Sequence, residues 1–174
     1  MAETEGGEQP SEDAALAEAG ARRARLAAEA GRLMREASSA TLATLGKDGH
    51  PHAALVTPAV APDGAVLLWL STLSEHTRQL ARDGRCSLLF LGAAEDSNPQ
   101  TTPRISLAGL AARSDDPALK EAWLARHPYA APYADFADFS LWRIEPRSAL
   151  MVLGFGQAHR LRAADLMPGA EAPA

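Results

Sequence analysis

The sequence has little of what defines several large classes of protein. Its one cysteine, Cys86, excludes a disulfide within the chain and any zinc site built from several cysteines. No apolar run approaches the roughly 18 residues of a membrane span, and the acidic N-terminus lacks the pattern of a secretory signal. We therefore expect a cytoplasmic protein that has no membrane partner.

Positive charge is also scarce and scattered. Lys and Arg number 17 against 22 Asp and Glu, which gives a net charge of −5. Six of the acids fall in residues 1–20, which hold no Lys or Arg, so the rest of the chain carries a charge of +1. Because no basic block or stripe is present, we expect no nucleic-acid partner.

What is present is enough for one folded domain. The 174 residues and the 47% hydrophobic content are ordinary for a single globular domain. Residues 1–20 are rich in Gly, Glu and Ala and have no aromatic residue, which predicts a disordered acidic tail. We expect the domain at 21–160, beginning with a helix at about 21–37, and a flexible tail at 161–174 that holds at most one turn of helix at 163–167.

Short apolar segments separated by turn residues make up most of the domain. Gly49 and Gly64 mark turns between strands, and Pro146-Arg147 predicts another. The pattern indicates two further helices, at about 75–83 and 117–126, and seven strands at 41–45, 51–60, 65–70, 86–91, 104–112, 139–145 and 148–153. This predicts a mainly β protein, a six- to seven-stranded antiparallel split barrel with short flanking helices. A two-layer α+β sheet is the alternative.

One segment has the composition of an anion site. It joins a buried strand to the start of a short helix, where the first N–H groups lack partners within the helix. Its hydroxyl, imidazole and guanidinium groups can add donors for a phosphate: Thr72, Ser74, His76, Thr77 and Arg78. The alternative is a surface helix that is merely well capped by Ser74, or by Thr72 paired with Glu75.

Three other patterns carry weaker hypotheses. Arg104 and Ser106 lie two residues apart on a strand, so both project from one sheet face toward a flavin or phosphate, or simply toward solvent. The glycines of Gly154-Phe155-Gly156 allow close approach to a planar ligand, or only end a strand. His50 and His52 lack a third ligand, so we expect no metal site.

The order of these motifs resembles that of the pyridoxamine 5′-phosphate oxidase-related, FMN-binding split-barrel proteins, and most of all their haem-utilisation branch. The resemblance covers roughly residues 35–160. It is carried by Ala43-Thr44-Leu45, Gly49-x-Pro51, Leu70-Ser71-x-Leu73-x-Glu75-His76-Thr77-Arg78, Pro103-Arg104-Ile105-Ser106-Leu107-x-Gly109, Ala125-Arg126-His127-Pro128, Phe136-x-Asp138-Phe139 and Gly154-Phe155-Gly156.

The resemblance implies a homodimer with FMN in the groove between two barrels. The matching cofactor-binding positions are Ala54, Leu55, Val56 and Thr57 on the second strand, Ser71, Thr72, Ser74, His76, Thr77 and Arg78 around the short helix, and Arg104 and Ser106 from the partner subunit. No catalytic acid or base is identified. True pyridoxamine phosphate oxidases carry an Arg and a Lys on the second strand, and their absence here argues against that reaction.

Three functions follow as hypotheses. The first is a small flavin-dependent oxidoreductase of unknown substrate. The second is a haem-binding or haem-utilisation protein of the same fold. Haem-degrading relatives add a C-terminal domain with a haem-ligating histidine, whereas this sequence ends soon after Gly156, so we expect no haem degradation. The third is a non-enzymatic dimer with an empty groove.

Overall fold

The computed structural model describes residues 11–94 and 96–167, which form eight strands and four α-helices. The helices are α1 (Glu12–Glu36), α2 (Glu75–Arg82), α3 (Pro117–Arg126) and α4 (Ala163–Leu166), and a 3₁₀ turn spans Pro128–Tyr133. The strands are β1 (Ala40–Leu45), β2 (Pro51–Val56), β3 (Ala59–Val60), β4 (Val66–Ser71), β5 (Arg85–Leu91), β6 (Arg104–Ser114), β7 (Phe139–Val152) and β8 (Ala158–Arg162).

All eight strands join in one curled antiparallel sheet. Its order is β2-β1-β5-β6-β7-β4-β3, and β8 also pairs with β7. The 14-residue strand β7 pairs with β6 on one side; on the other it pairs first with β4 and then with β8. This architecture confirms the mainly β prediction of a split barrel with flanking helices.

Strand β7 differs from its prediction, because the turn expected at Pro146-Arg147 does not exist. Gly109 of β6 pairs with Pro146 and Ala108 pairs with Ser148, so Arg147 is the extra residue of a β-bulge. A side chain at Gly109 would lie 2.6 Å from Cγ2 of Ile144, which explains the glycine. The proline is tolerated at a bulge, in the gap between the end of β4 pairing and the start of β8 pairing.

The predicted strand 51–60 is divided into β2 and β3 at Thr57-Pro58. The Trp123 indole donates a hydrogen bond of 3.0 Å to the Thr57 carbonyl, and His127 Nε2 donates one of 2.9 Å to the Pro58 carbonyl. Side chains from the far end of α3 therefore take up backbone groups that a longer strand would pair within the sheet. Sequence periodicity carries no sign of this long-range contact.

Both ends of the domain are more regular than predicted. Helix α1 begins at Glu12, about nine residues before the expected start at 21, because Ser11 Oγ accepts the Ala14 N–H at its N-terminus. The predicted flexible tail from 161 begins inside β8, a strand that was not predicted, and its expected single turn of helix is α4; Leu161 and Leu166 are both buried. Residues 1–10 and 168–174 of the two expected tails lie outside the described residues.

Two apolar clusters hold the sheet and helices together. The larger lies inside the curl, where Leu33 and Met34 of α1 pack on inward side chains of seven strands, including Leu42, Val56, Leu68, Phe90, Leu107, Ile144 and Leu161. The smaller lies between the outer side of β4 and α3, around Leu67, Trp123 and Leu141. Full burial of each large side chain contributes about 1.5–3 kcal/mol. No described helix has the length and apolar content to cross a membrane.

Candidate functional site

The start of α2 has no side-chain cap. The chain leaves β4 at Ser71 and enters the helix at Glu75, with Ser74 as the N-cap residue. The Ser74 side chain makes no capping hydrogen bond, and the Thr72–Glu75 capping box predicted as an alternative is not formed. The Thr72 N–H donates instead to the backbone carbonyl of Asp138 at 2.7 Å. The backbone N–H groups in the first turn of α2 therefore receive no hydrogen bond from a side-chain cap.

Thr77 adds a second unpaired group in that same turn. Its side chain is buried, with the residue only 3% exposed, yet its Oγ1 has no hydrogen-bond partner among the described residues. An unpaired buried hydroxyl costs about 1–3 kcal/mol relative to a paired one. Such a group calls for an explanation, and an acceptor supplied from outside the chain is one.

The rest of α2 is anchored firmly to the sheet. Thr44 of β1 donates a hydrogen bond of 2.5 Å to Gln79, and Arg82 donates one of 2.5 Å to the carbonyl of Leu45. Thr44 and Gln79 are both buried. The uncapped N-terminus of α2 therefore belongs to a helix whose second half is hydrogen-bonded to β1.

Ser71 and Arg78 are already engaged inside the chain. Ser71 Oγ donates to Asp138 Oδ2 at 2.6 Å and accepts the Leu73 N–H at 3.1 Å. The exposed Arg78 guanidinium lies 2.9 Å from Glu75 Oε2. Asp138 is a functional candidate that the sequence did not single out, although it stands in the Phe136-x-Asp138-Phe139 motif. We call Ser71, Thr72, Ser74, His76, Thr77 and Arg78 the α2 cradle.

Two histidines meet at the cradle. Burial lowers the pKa of His76, and the charge of nearby His52 on β2 lowers it further. The hydrogen bond from Arg78 holds the pKa of Glu75 below its usual value. His76 is consequently neutral near pH 7 and offers one N–H donor and one acceptor. His52 was predicted only as an insufficient metal ligand, and its position near enough to His76 to affect that pKa is a property of the fold.

The candidate residues of β2 present a mainly apolar surface. Leu55 is 76% exposed, Val56 is buried, and Ala54 and Thr57 are half-buried. Helix α2 lies close to β2, so this segment and the α2 cradle are neighbours within one chain. The pattern suits a flat apolar ligand rather than a charged one.

Arg104 and Ser106 lie on the outer face of β6, as predicted, because Ile105 and Leu107 point into the core. Arg104 Nη1 donates to the carbonyls of Gln100 and Thr102, at 2.8 and 3.1 Å. Ser71 of the cradle pairs with Phe139 at the start of β7, whereas Arg104 pairs with Val152 at the end of the same 14-residue strand. One chain alone therefore holds Arg104 and Ser71 at opposite ends of β7.

The outer face of the sheet has exposed apolar side chains. The register aligns Leu55, Thr41, Leu89, Ser106 and Leu150 in one row across five strands. On the same face Leu55 is 76%, Leu91 54%, Leu110 41% and Leu150 39% exposed. An exposed apolar sheet face of this kind is typical of an interaction surface.

Metal and thiol chemistry have no visible basis in this region. Within residues 11–94 and 96–167, no three His, Cys, Asp or Glu side chains form a cluster suited to a metal ion. Burial raises the pKa of the Cys86 thiol to about 12, so it is not a thiolate at neutral pH.

Comparison with known proteins places these observations in context. Residues 26–153 match the sequence profile of the family described as pyridoxamine 5′-phosphate oxidase. The chloroplastic protein of Arabidopsis thaliana named non-canonical heme oxygenase HOZ is 39% identical over 114 residues, which are 64% of this chain and 34% of that protein. The chain thus spans about a third of the length of this curated relative.

Solved structures share the fold. A structure described as a heme binding protein from Mycobacterium smegmatis is 33% identical to this chain, with a TM-score of 0.72. The match covers 80% of this chain and 59% of that one. ChuZ from Campylobacter jejuni has a TM-score of 0.72 over 92% of this chain and 72% of that one, but at 16% identity it shows the fold alone.

Proposed function

We propose a cofactor-binding function for this chain from the premise that it belongs to the pyridoxamine 5′-phosphate oxidase family. The proposed ligand is FMN, bound in a groove between two copies of the barrel, and the proposed activity is that of a small flavin-dependent oxidoreductase. The observation that carries the proposal is the unpaired, buried Thr77 hydroxyl in the uncapped first turn of α2.

The α2 cradle fits the phosphate of FMN by its chemistry. A phosphate would accept hydrogen bonds from the backbone N–H groups of the first turn and from Thr77 Oγ1. Ser74 has a free side chain to add. Arg78 would have to exchange its ion pair with Glu75 for the phosphate, and that pair is exposed and therefore weak.

The β2 segment fits the flavin ring. Ala54, Leu55, Val56 and Thr57 offer apolar surface and backbone groups beside the cradle, with no charge to desolvate. Arg104 and Ser106 would complete the site from a partner subunit, since their own chain holds them far from its cradle. The exposed leucines of the outer face would then be buried in a homodimer.

FMN, when bound, would supply the electron and hydride chemistry of the reaction. The chain's own residues would bind the phosphate, orient the ring and exclude water. Neutral His76 would donate or accept a hydrogen bond at the cradle rather than act as a fixed positive charge. The Arg and Lys of true pyridoxamine phosphate oxidases are absent from β2, so the proposed substrate is a different one.

Haem is the second candidate ligand. Relatives that are 39% and 33% identical are named for haem. The apolar β2 segment and the outer leucines would suit the face of a porphyrin as well as that of a flavin. A dimer with an empty groove is the third possibility. The cytoplasm remains the proposed location for all three.

A spectrum of the full-length protein with each ligand tests the proposal. We expect added FMN to give a bound flavin band near 450 nm, with calorimetric binding that Thr77→Ala with Arg78→Ala weakens while the dimer persists. A Soret band with haem and no flavin binding would favour the second candidate. If neither ligand binds or raises the melting temperature, the empty dimer is correct.

A further inference from the structure

A cavity on the outer face of the sheet is lined by three arginines. It has a volume of about 360 Å³ and lies over β5, β6, β7 and β8. Its polar lining consists of three guanidinium groups and three hydroxyls, from Arg147, Arg160, Arg162, Ser87, Ser106 and Ser148. Among the described residues, no acidic side chain lines it. We call it the arginine cavity.

The strand register places these polar groups on one side of the sheet. One row across the four strands consists of Ser87, Ala108, Ser148 and Arg162. The next outward row, across β6, β7 and β8, consists of Ser106, Leu150 and Arg160. Leu161, between the two arginines of β8, points into the core, so both arginines project outward. The serines and arginines can therefore meet one ligand.

The positive charges of the cavity are only weakly balanced within the chain. Among the described residues, Arg160 forms no ion pair. Arg147 lies 3.2 Å from Glu145, but both side chains are exposed, so this pair is weak. Arg162 Nε lies 3.8 Å from Asp165, whose carboxylate an arginine of α1 already holds at 2.5 Å. Guanidinium N–H groups thus remain available to another acceptor.

Positive charge on this face becomes costly if the face is covered. The proposed homodimer would bury the outer leucines, and Leu150 pairs with Arg160 beside the cavity. Removing a guanidinium from water without an anionic partner is unfavourable. The two outward rows contain no acidic residue, so they offer no carboxylate to the same face of a second copy. This step rests on the proposed homodimer, and it indicates an anion from outside these rows.

We propose that the arginine cavity binds a small organic anion with two or more negatively charged oxygen atoms. Guanidinium groups pair with such oxygens through parallel N–H bonds, and serine hydroxyls can add further donors. The volume falls within the range of small-molecule sites, which begins at about 300 Å³, so it leaves room for a carbon skeleton beside Leu150 and Ala108. Phosphate monoesters and molecules with several carboxylates share this chemistry.

Glycerol 3-phosphate and citrate are the probes, and the arginine Nε–H signals of ¹⁵N-labelled full-length protein are the readout. The titrations are made at constant ionic strength, because salt screens exposed charges. At least one probe should shift the Arg160 signal in a saturable manner, and the stronger of the two identifies the source of the anion. The signal of Arg25, an exposed residue of α1, is the internal control. Acetate, with a single charge, should bind at least about tenfold more weakly.

Matched variants test the arginines, with the affinity taken from the cavity arginine signals that remain. Arg160→Gln and Arg162→Gln each remove one exposed guanidinium and should weaken binding of the better probe about tenfold. Arg25→Gln removes the same charge outside the cavity and should leave the affinity unchanged. Thr77→Ala with Arg78→Ala should not change the Arg160 shift, because the α2 cradle is a different site. Circular dichroism checks that each variant folds.

Two outcomes would overturn the proposal. One is the absence of any saturable Arg160 shift with either probe, which would mean that the arginines are simply solvated. The other is equal weakening by Arg160→Gln and Arg25→Gln, which would mean that the probe responds only to the net charge. Neither outcome depends on binding of FMN or haem. A saturable Arg160 shift in a protein that binds no flavin would count against the proposed function alone.

Discussion

Helices α2 and α3 each follow a strand of the sheet, and their first turns differ sharply. Asp116 caps α3 by accepting the Ala118 N–H, and Pro117 removes one donor that would need a partner. Ser74 leaves α2 uncapped, and Thr77 adds a buried hydroxyl without a partner. The α3 start is capped within the chain, whereas the α2 start has no side-chain cap. The comparison separates a helix end that the chain itself caps from the one that we propose for phosphate binding.

Replacing Thr77 should give the largest effect. Thr77→Val keeps the shape and removes the unpaired hydroxyl, so the protein without cofactor should gain about 1–2 kcal/mol in its free energy of unfolding. Urea unfolding measures the change, and Thr72→Val at an exposed position of the same segment is the control. Loss of stability in Thr77→Val would mean that the hydroxyl has an internal partner, and the contrast with α3 would fail.

Removing the N-cap side chain should lower the free energy of unfolding at α3 and leave it nearly unchanged at α2. Asp116→Ala breaks a hydrogen bond of 2.9 Å and should cost about 1 kcal/mol. Ser74→Ala breaks no capping bond and should change the unfolding free energy by a few tenths of a kcal/mol at most. Equal losses in denaturant titrations would show that Ser74 caps α2 in solution.

A smaller effect should appear in the pH dependence of stability. The pKa of His76 is lowered in the folded state, so the unfolded chain binds a proton more readily. Stability should therefore fall as pH drops below the unfolded value of about 6.5, and His76→Gln should reduce that slope. His127, at the end of α3, has a pKa lowered by burial and contributes in the same direction. An unchanged slope in His76→Gln would assign the whole effect to the α3 side.

The sequence predicts the α2 region less well than the sheet that carries it. Alternation correctly assigned the outward side of Arg104 and Ser106, and the turn glycines marked the β1–β2 and β3–β4 connections. The resemblance to the pyridoxamine 5′-phosphate oxidase family is confirmed by the match over residues 26–153. These features depend on local pattern or on motifs, which a single sequence contains.

What the sequence could not supply depends on residues distant in the chain. Asp138 reaches Ser71 across 67 positions, and His52 reaches the cradle from another strand. The sequence could not decide whether Thr72 or Ser74 is the N-cap of α2, because the Thr72 N–H donates to the backbone carbonyl of Asp138, which is distant in the chain. The sequence predicted a turn at Pro146-Arg147, because a bulge at this point can be recognised only from the pairing of Pro146 with Gly109 in a different strand. The site residues taken from the resemblance stay predictions until ligand binding is measured.

The central position of β7 has a consequence for how the chain folds during synthesis. Strand β4 is complete at Ser71, but its main partner is the segment from Phe139 to Ile144 of β7, which is synthesised much later. Hairpins β1–β2 and β5–β6 can pair early, but the sheet stays incomplete and its edges open until β7 arrives. Such late pairing between distant segments is slow and exposes unpaired edges. A growing chain of this protein would therefore need its longest protection on the ribosome at β4.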